Sequence, residues 1–103
     1  MATVLFVVKA TIQKDREEAF NRLYNEEHCP QFLRFKAAVS ARRYRAIMCE
    51  ETYQYIAVYE LQDEATFWRF MESEHLKELK ADYDAKFGGV SQRERFAYVQ
   101  VWP

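Results

Sequence analysis

Residues 38–61 read AVSARRYRAIMCEETYQYIAVYEL. Two strands are expected here, at 38–48 and 52–61. In the second, Tyr53, Tyr55, Ala57 and Tyr59 alternate with Gln54, Ile56, Val58 and Glu60, the period of two that marks a strand. A connection of about four residues, Met48 to Glu51, predicts a hairpin. A helix is expected on each side of this pair. Upstream, residues 14–28 carry Ala19, Phe20, Leu23 and Tyr24 as an apolar stripe. Asp15, Glu17 and Glu18 sit in its first turns, where the helix dipole favours negative charge, and Pro30 is expected to stop it. Downstream, a second helix opens at Asp63, a fitting N-cap, and carries Phe67, Trp68, Phe70 and Met71. A brief break is expected at Ser73, then Leu76, Leu79 and Tyr83 resume the helical spacing to Gly88-Gly89. Residues 3–10 (TVLFVVKA) form a near-continuous apolar run, which predicts a central strand covered on both faces. A last strand is expected over 92–102.

The order β-α-β-β-α-β predicts an α+β, ferredoxin-like fold: a four-stranded antiparallel sheet with both helices on one face. The whole chain, 1–103, reads as one domain. Such a sheet leaves its other face bare, and strands this rich in Tyr, Phe and Val would expose a large apolar patch. The simplest cover is the sheet of a second copy, so a homodimer through the sheet faces is expected.

The chain has 103 residues, of which 17 are aromatic, and a net charge of −1. Abundant aromatics exclude a disordered chain, and near-neutrality argues against nucleic acid or a charged membrane surface as partner. No stretch reaches the roughly 20 apolar residues of a membrane span. With no signal peptide evident, Cys29 and Cys49 are read as free thiols in the cytoplasm. Neither His28 nor His75 has a second ligand at zinc spacing, so no metal is expected.

Candidate chemistry concentrates in Tyr24-Asn25-Glu26-Glu27-His28-Cys29-Pro30. Tyr24 and His28 are four residues apart and meet on one helix face. Placed at a helix C-terminus beside the core, His28 feels the dipole favouring imidazolium and burial favouring the neutral ring. That balance suits a general base or acid; the plainer reading is a histidine that caps its own helix. His75 is a packed core member on a stripe with Trp68, Met71 and Leu79, or a wall of a pocket; Tyr83 is open in the same way. Phe67, Trp68 and Phe70 are core, or line a pocket for a flat ligand. Five basic residues and no acidic one lie between His28 and Cys49. They are complementary surface charge, or Arg43, with Arg42 or Arg45, receives a substrate carboxylate. Strand parity separates Arg43 and Arg45 from Arg42 and Tyr44 without saying which pair faces inward.

With these residues in view, the chain resembles the dimeric α/β-barrel superfamily, and within it the ethyl tert-butyl ether degradation (EthD-like) family. The likeness rests on Tyr24 to Pro30, a Tyr-x-x-x-His-x-Pro motif, on Ser40-Ala41-Arg42-Arg43-Tyr44 and on Tyr55 to Leu61. Lys36-Ala37-Ala38 stand where the family usually has a Pro-Gly pair, so the loop beside His28 is expected to differ. The resemblance implies a pocket between helices and sheet in each subunit. Superfamily activities range over monooxygenases, isomerases, lyases, decarboxylases and haem-degrading proteins, so the fold does not choose among them.

Two functions follow as expectations. One is a cofactor-independent lyase, isomerase or decarboxylase acting on an aromatic, polyketide-like or ring-containing small molecule. In it His28 moves a proton, Tyr24 orients it or stabilises an oxyanion, Arg43 holds a carboxylate, and Trp68, Phe70, His75 and Tyr83 contact the substrate. The other is a non-catalytic ligand-binding or dimerisation module, with a haem-binding or monooxygenase-type member as a further alternative.

Overall fold

The computed structural model describes residues 2–48 and 53–103. Strand β1 (Val4–Ala10) is followed by a 3₁₀ turn at Lys14–Arg16, helix α1 (Glu17–Leu23), a π-helical turn (Tyr24–His28) and helix α2 (Cys29–Phe32). Then come β2 (Ala38–Arg45), β3 (Tyr55–Leu61), α3 (Glu64–Met71), α4 (Glu74–Phe87) and β4 (Arg93–Val99). The strands form one antiparallel sheet in the order β2-β3-β1-β4. This is the ferredoxin-like α+β arrangement expected from the element order.

The apolar run of β1 places it at the sheet's centre, paired with both β3 and β4. Val4, Phe6, Val8 and Ala10 face the helices and join Phe20, Leu23, Phe32, Tyr59, Phe70 and Tyr83 in the core. Leu5, Val7 and Lys9 alternate with them and therefore point to the other face. That face also carries Arg42 and Tyr44 of β2, Ile56 and Val58 of β3, and Phe96 and Tyr98 of β4, by register. Leu5, Tyr44 and Tyr98 are exposed there.

Several expectations need correction. Pro30 does not end the first helix, which runs on to Phe32. In α-helical geometry its ring would strike the carbonyl of Glu26. The preceding turn is instead widened, with the Cys29 N–H donating to the Tyr24 carbonyl, an i→i−5 bond. His28 is accordingly inside a helical stretch rather than at a C-terminus, and Ala19 is exposed rather than part of the buried stripe. The break at Ser73 is complete: its side chain caps α4 by accepting from the Leu76 N–H, as Asp63 caps α3 by accepting from Thr66. No continuous stripe links Trp68 to His75, and Trp68 is 57% exposed. Strand β2 stops at Arg45 and β4 at Val99, leaving Val101 and Trp102 exposed beyond the sheet. One further pair, Ala46 N–H to the Gln54 carbonyl, extends the β2–β3 ladder; the rest of the expected Met48–Glu51 turn, including Cys49, lies outside the described residues. Ala37, at the position of the family's Pro-Gly pair, adopts φ 73°, a left-handed conformation that glycine takes without steric cost.

Candidate active site between the helices and the sheet

A cavity of about 30 Å³ lies between the helices and the inner face of the sheet. Tyr24, His28 and Phe32 wall it from the first helical stretch, Phe6 and Tyr59 from the sheet, and Phe70 from α3. Leu76, Leu79 and Lys80 of α4, with Arg93 and Arg95 of β4, also line it. Its volume is about that of one water molecule. Wider depressions of about 490, 440 and 420 Å³ lie elsewhere, and none is lined by His28.

The widened turn gives the cavity its chemistry. Tyr24 and His28 project from it with ring centroids 5.2 Å apart, edge to face. His28 is only 3% exposed. Its Nε2 lies 3.3 Å from Oδ2 of Asp82 on α4, and Nδ1 has no hydrogen-bond partner among the described residues. Asp82 is tied in turn to Lys86 at 3.2 Å. Burial pulls the His28 pKa below its ordinary value, against the pull of the Asp82 carboxylate, so the ring is neutral at pH 7. Burial pushes the Tyr24 phenol up to about 12, although Arg93 beside it works the other way. Tyr24 therefore stays protonated and available as a donor. A neutral imidazole oriented by a carboxylate, next to a protonated phenol and shielded from solvent, can accept a proton and stabilise a developing oxyanion.

The lowered His28 pKa has a consequence for stability. As pH falls through about 6.5 the unfolded chain takes up a proton that the folded chain resists until lower pH. The unfolded state then binds more protons, so stability is complete above about 6.5 and is lost on acidification towards the lowered value. Asp82, Arg93 and Glu27 set the field around the ring. Urea midpoints measured between pH 7.5 and 5 are expected to fall for the wild type and to fall less for His28→Gln; equal slopes would contradict the assignment.

The other residues singled out from sequence are placed as follows. Phe70 is on the cavity wall. Tyr83 packs against both Tyr24 and His28, with ring centroids 6.0 and 6.3 Å away, and its hydroxyl bonds to Ser91. Arg43 faces the helices but is not on the wall. It donates to Asn25 Oδ1 at 2.9 Å and to Asn21 Oδ1 at 2.8 Å, and its guanidinium covers the Tyr24 ring at 4.8 Å. These bonds tie β2 to the first helical stretch and leave its fork engaged within the fold. Trp68 donates to Glu64 on its own helix and borders a separate groove with Tyr98 and Val99. His75 packs on Phe35, ring centroids 5.9 Å apart, with Nε2 buried and unpartnered among the described residues. It borders the 420 Å³ depression. The Cys29 thiol is raised by burial, which suits a packed thiol rather than a nucleophile.

Asp82, Lys80, Arg93 and Arg95 were missed by sequence reasoning. A usable signal existed for two of them: Arg93 and Arg95 occupy alternate positions of the last strand and must share a face. The site does not fit haem. His28 Nε2 is turned to Asp82, and the cavity is far smaller than a macrocycle.

Comparison with solved structures supports the fold. An ethyl tert-butyl ether degradation family protein from Bacillus halodurans is 14% identical with TM-score 0.68, over 93% of this chain and 97% of that one. A DABB family protein with a ferredoxin-like fold from Mesorhizobium loti is 12% identical with TM-score 0.68, over 99% and 100%. A cofactor-independent oxygenase from Streptomyces nogalater is 19% identical with TM-score 0.60, over 98% and 95%. The chain thus shares a ferredoxin-like fold with these proteins, an EthD family protein among them. No curated protein matches the sequence. A family model described as "Domain of unknown function (DUF4286)" matches residues 3–95.

Proposed function

The chain belongs to that family, and from this fold and the cavity we propose that it is a cofactor-independent enzyme that moves a proton at a carbon next to a carbonyl group. The reading rests on one observation: buried His28, held through Nε2 by Asp82, stands edge-on to Tyr24 on the wall of a shielded cavity. His28 Nδ1 takes the proton, and the C–H electron pair moves into the carbonyl to form an enolate. Tyr24 donates a hydrogen bond to the enolate oxygen, and Asp82 stabilises the imidazolium. Return of the proton to another atom gives isomerase chemistry, and expulsion of a group β to the carbonyl gives lyase chemistry. The Streptomyces neighbour, described as cofactor-independent, supports cofactor-free chemistry as compatible with this architecture. The substrate class is a small carbonyl compound, aromatic or ring-containing if its bulk stays outside the cavity.

The test is deuterium incorporation in D₂O, followed by proton NMR, over a panel of β-keto acids, their esters and cyclic 1,3-diketones. The protein is expected to accelerate exchange at the activated carbon of at least one compound well above buffer. Exchange at the buffer rate across the panel would remove the reading. The small cavity specifically favours the second reading, a non-catalytic module, because small-molecule pockets generally span about 300–1,000 Å³. That reading predicts no exchange with any compound.

The uncovered sheet face supports a homodimer. Leu5 and Tyr98 are direct cross-strand neighbours there and both are exposed; with Tyr44 they form an apolar surface that a second sheet would bury. Native mass spectrometry is expected to give twice the 12.4 kDa chain mass, and Leu5→Arg with Tyr98→Arg is expected to give the monomer. A wild-type monomer at micromolar concentration would exclude this interface.

A further inference from the structure

Three cations on the cavity wall neither take nor give the proton in the proposed transfer. Lys80 comes from α4, and Arg93 and Arg95 come from alternate positions of the edge strand β4. Arg93 is held in place: its guanidinium lies 3.6 Å from the Tyr83 ring centroid and 3.7 Å from Asp84. Lys80 and Arg95 have no hydrogen bond or ion pair among the described residues. The neighbouring carboxylates do not balance them. Asp82 is engaged by His28 and Lys86, and Asp84 is 71% exposed, where its charge is screened by water. Burial and mutual repulsion lower the pKa of both Lys80 and Arg95. A wall carrying excess positive charge attracts an anion, whose binding relieves the repulsion.

Building on the proton-transfer reading, we propose that Lys80 and Arg95 grip an oxyanion group of the substrate, a carboxylate or a phosphate, with Arg93 as a fixed third charge. The grip explains how so small a cavity serves an enzyme. The charged end stays at the rim of the β4 edge, and only the reacting carbon and its carbonyl enter beside His28.

Binding is measured by NMR titration at low salt with three probes: acetoacetate, its neutral methyl ester, and inorganic phosphate. At least one of the two anions is expected to bind roughly tenfold or more tightly than the ester, as loss of a charge-assisted hydrogen bond implies. Preference for acetoacetate assigns a carboxylate, and preference for phosphate assigns a phosphoryl group. Arg95→Gln and Lys80→Met are each expected to weaken the anion by roughly tenfold and to leave the ester unchanged, with folding checked by circular dichroism. Equal binding of ester and anions, or variants that bind anions like the wild type, would overturn the proposal. Anion binding without deuterium exchange removes the proton-transfer reading and keeps the oxyanion site; exchange without anion preference does the reverse.

Discussion

Replacing His28 with glutamine is expected to slow carbon-bound deuterium exchange by about 10²–10⁴-fold, the contribution of a positioned acid–base group. Glutamine is the informative choice because its amide retains a donor for Asp82 and fills much of the imidazole's space. The Asp82 bond and the packing on Tyr24 and Tyr83 then largely survive, while the basic nitrogen is gone. Tyr24→Phe is the companion variant. It removes only the hydroxyl, so a smaller loss is expected, falling on kcat more than on KM if the phenol acts chiefly on the developing oxyanion. Exchange by the glutamine variant at the wild-type rate would show that another group takes the proton.

The largest effect on stability is expected from Phe32→Ala. Phe32 has no exposed surface. Its ring packs at 4.7 Å from that of Tyr59 and 5.2 Å from that of Phe70, centroid to centroid, so it joins α2 to the sheet and to α3. Truncating a buried phenylalanine costs about 3–5 kcal/mol, a large share of the roughly 5–15 kcal/mol that holds a domain folded. The melting temperature is expected to fall by at least about 12 °C. Because Phe32 also walls the cavity, the variant enlarges the space beside His28. A small apolar solute such as benzene is expected to recover part of the loss by filling it. A shift of a degree or two would mean that the aromatic layer collapses around the gap.

Much of the fold was legible because its signals are local. Alternation in 52–61, the apolar run of β1, and the cap at Asp63 each depend on neighbours within a few residues. The Tyr24–His28 contact belongs to the same class, since four-residue spacing joins side chains on a helical stretch. Long-range partners were not legible. Asp82 lies 54 residues from His28, and nothing near either residue signals the other. Arg43 shows the limit of strand parity: alternation separated it from Arg42, but only the assembled sheet turned it towards the helices. There Asn21 and Asn25, of no obvious interest in the sequence, occupy the guanidinium. Trp68 illustrates a competing signal. A helix continuing past Ser73 would align it with His75, whereas the cap at Ser73 starts a new axis. Pro30 was misjudged because its usual cost assumes α-helical geometry, and the wider turn before it avoids the clash.

That wider turn between Tyr24 and His28 makes chain length there matter more than spelling. Deleting one residue, Glu26 for example, would let the wide turn close to ordinary i→i−4 pairing and put His28 three residues after Tyr24 instead of four. The imidazole would leave its niche and Pro30 would meet a carbonyl it now avoids. Swaps at the solvent-facing Glu26 leave this phase intact, so libraries built on the segment should vary letters and keep their number fixed.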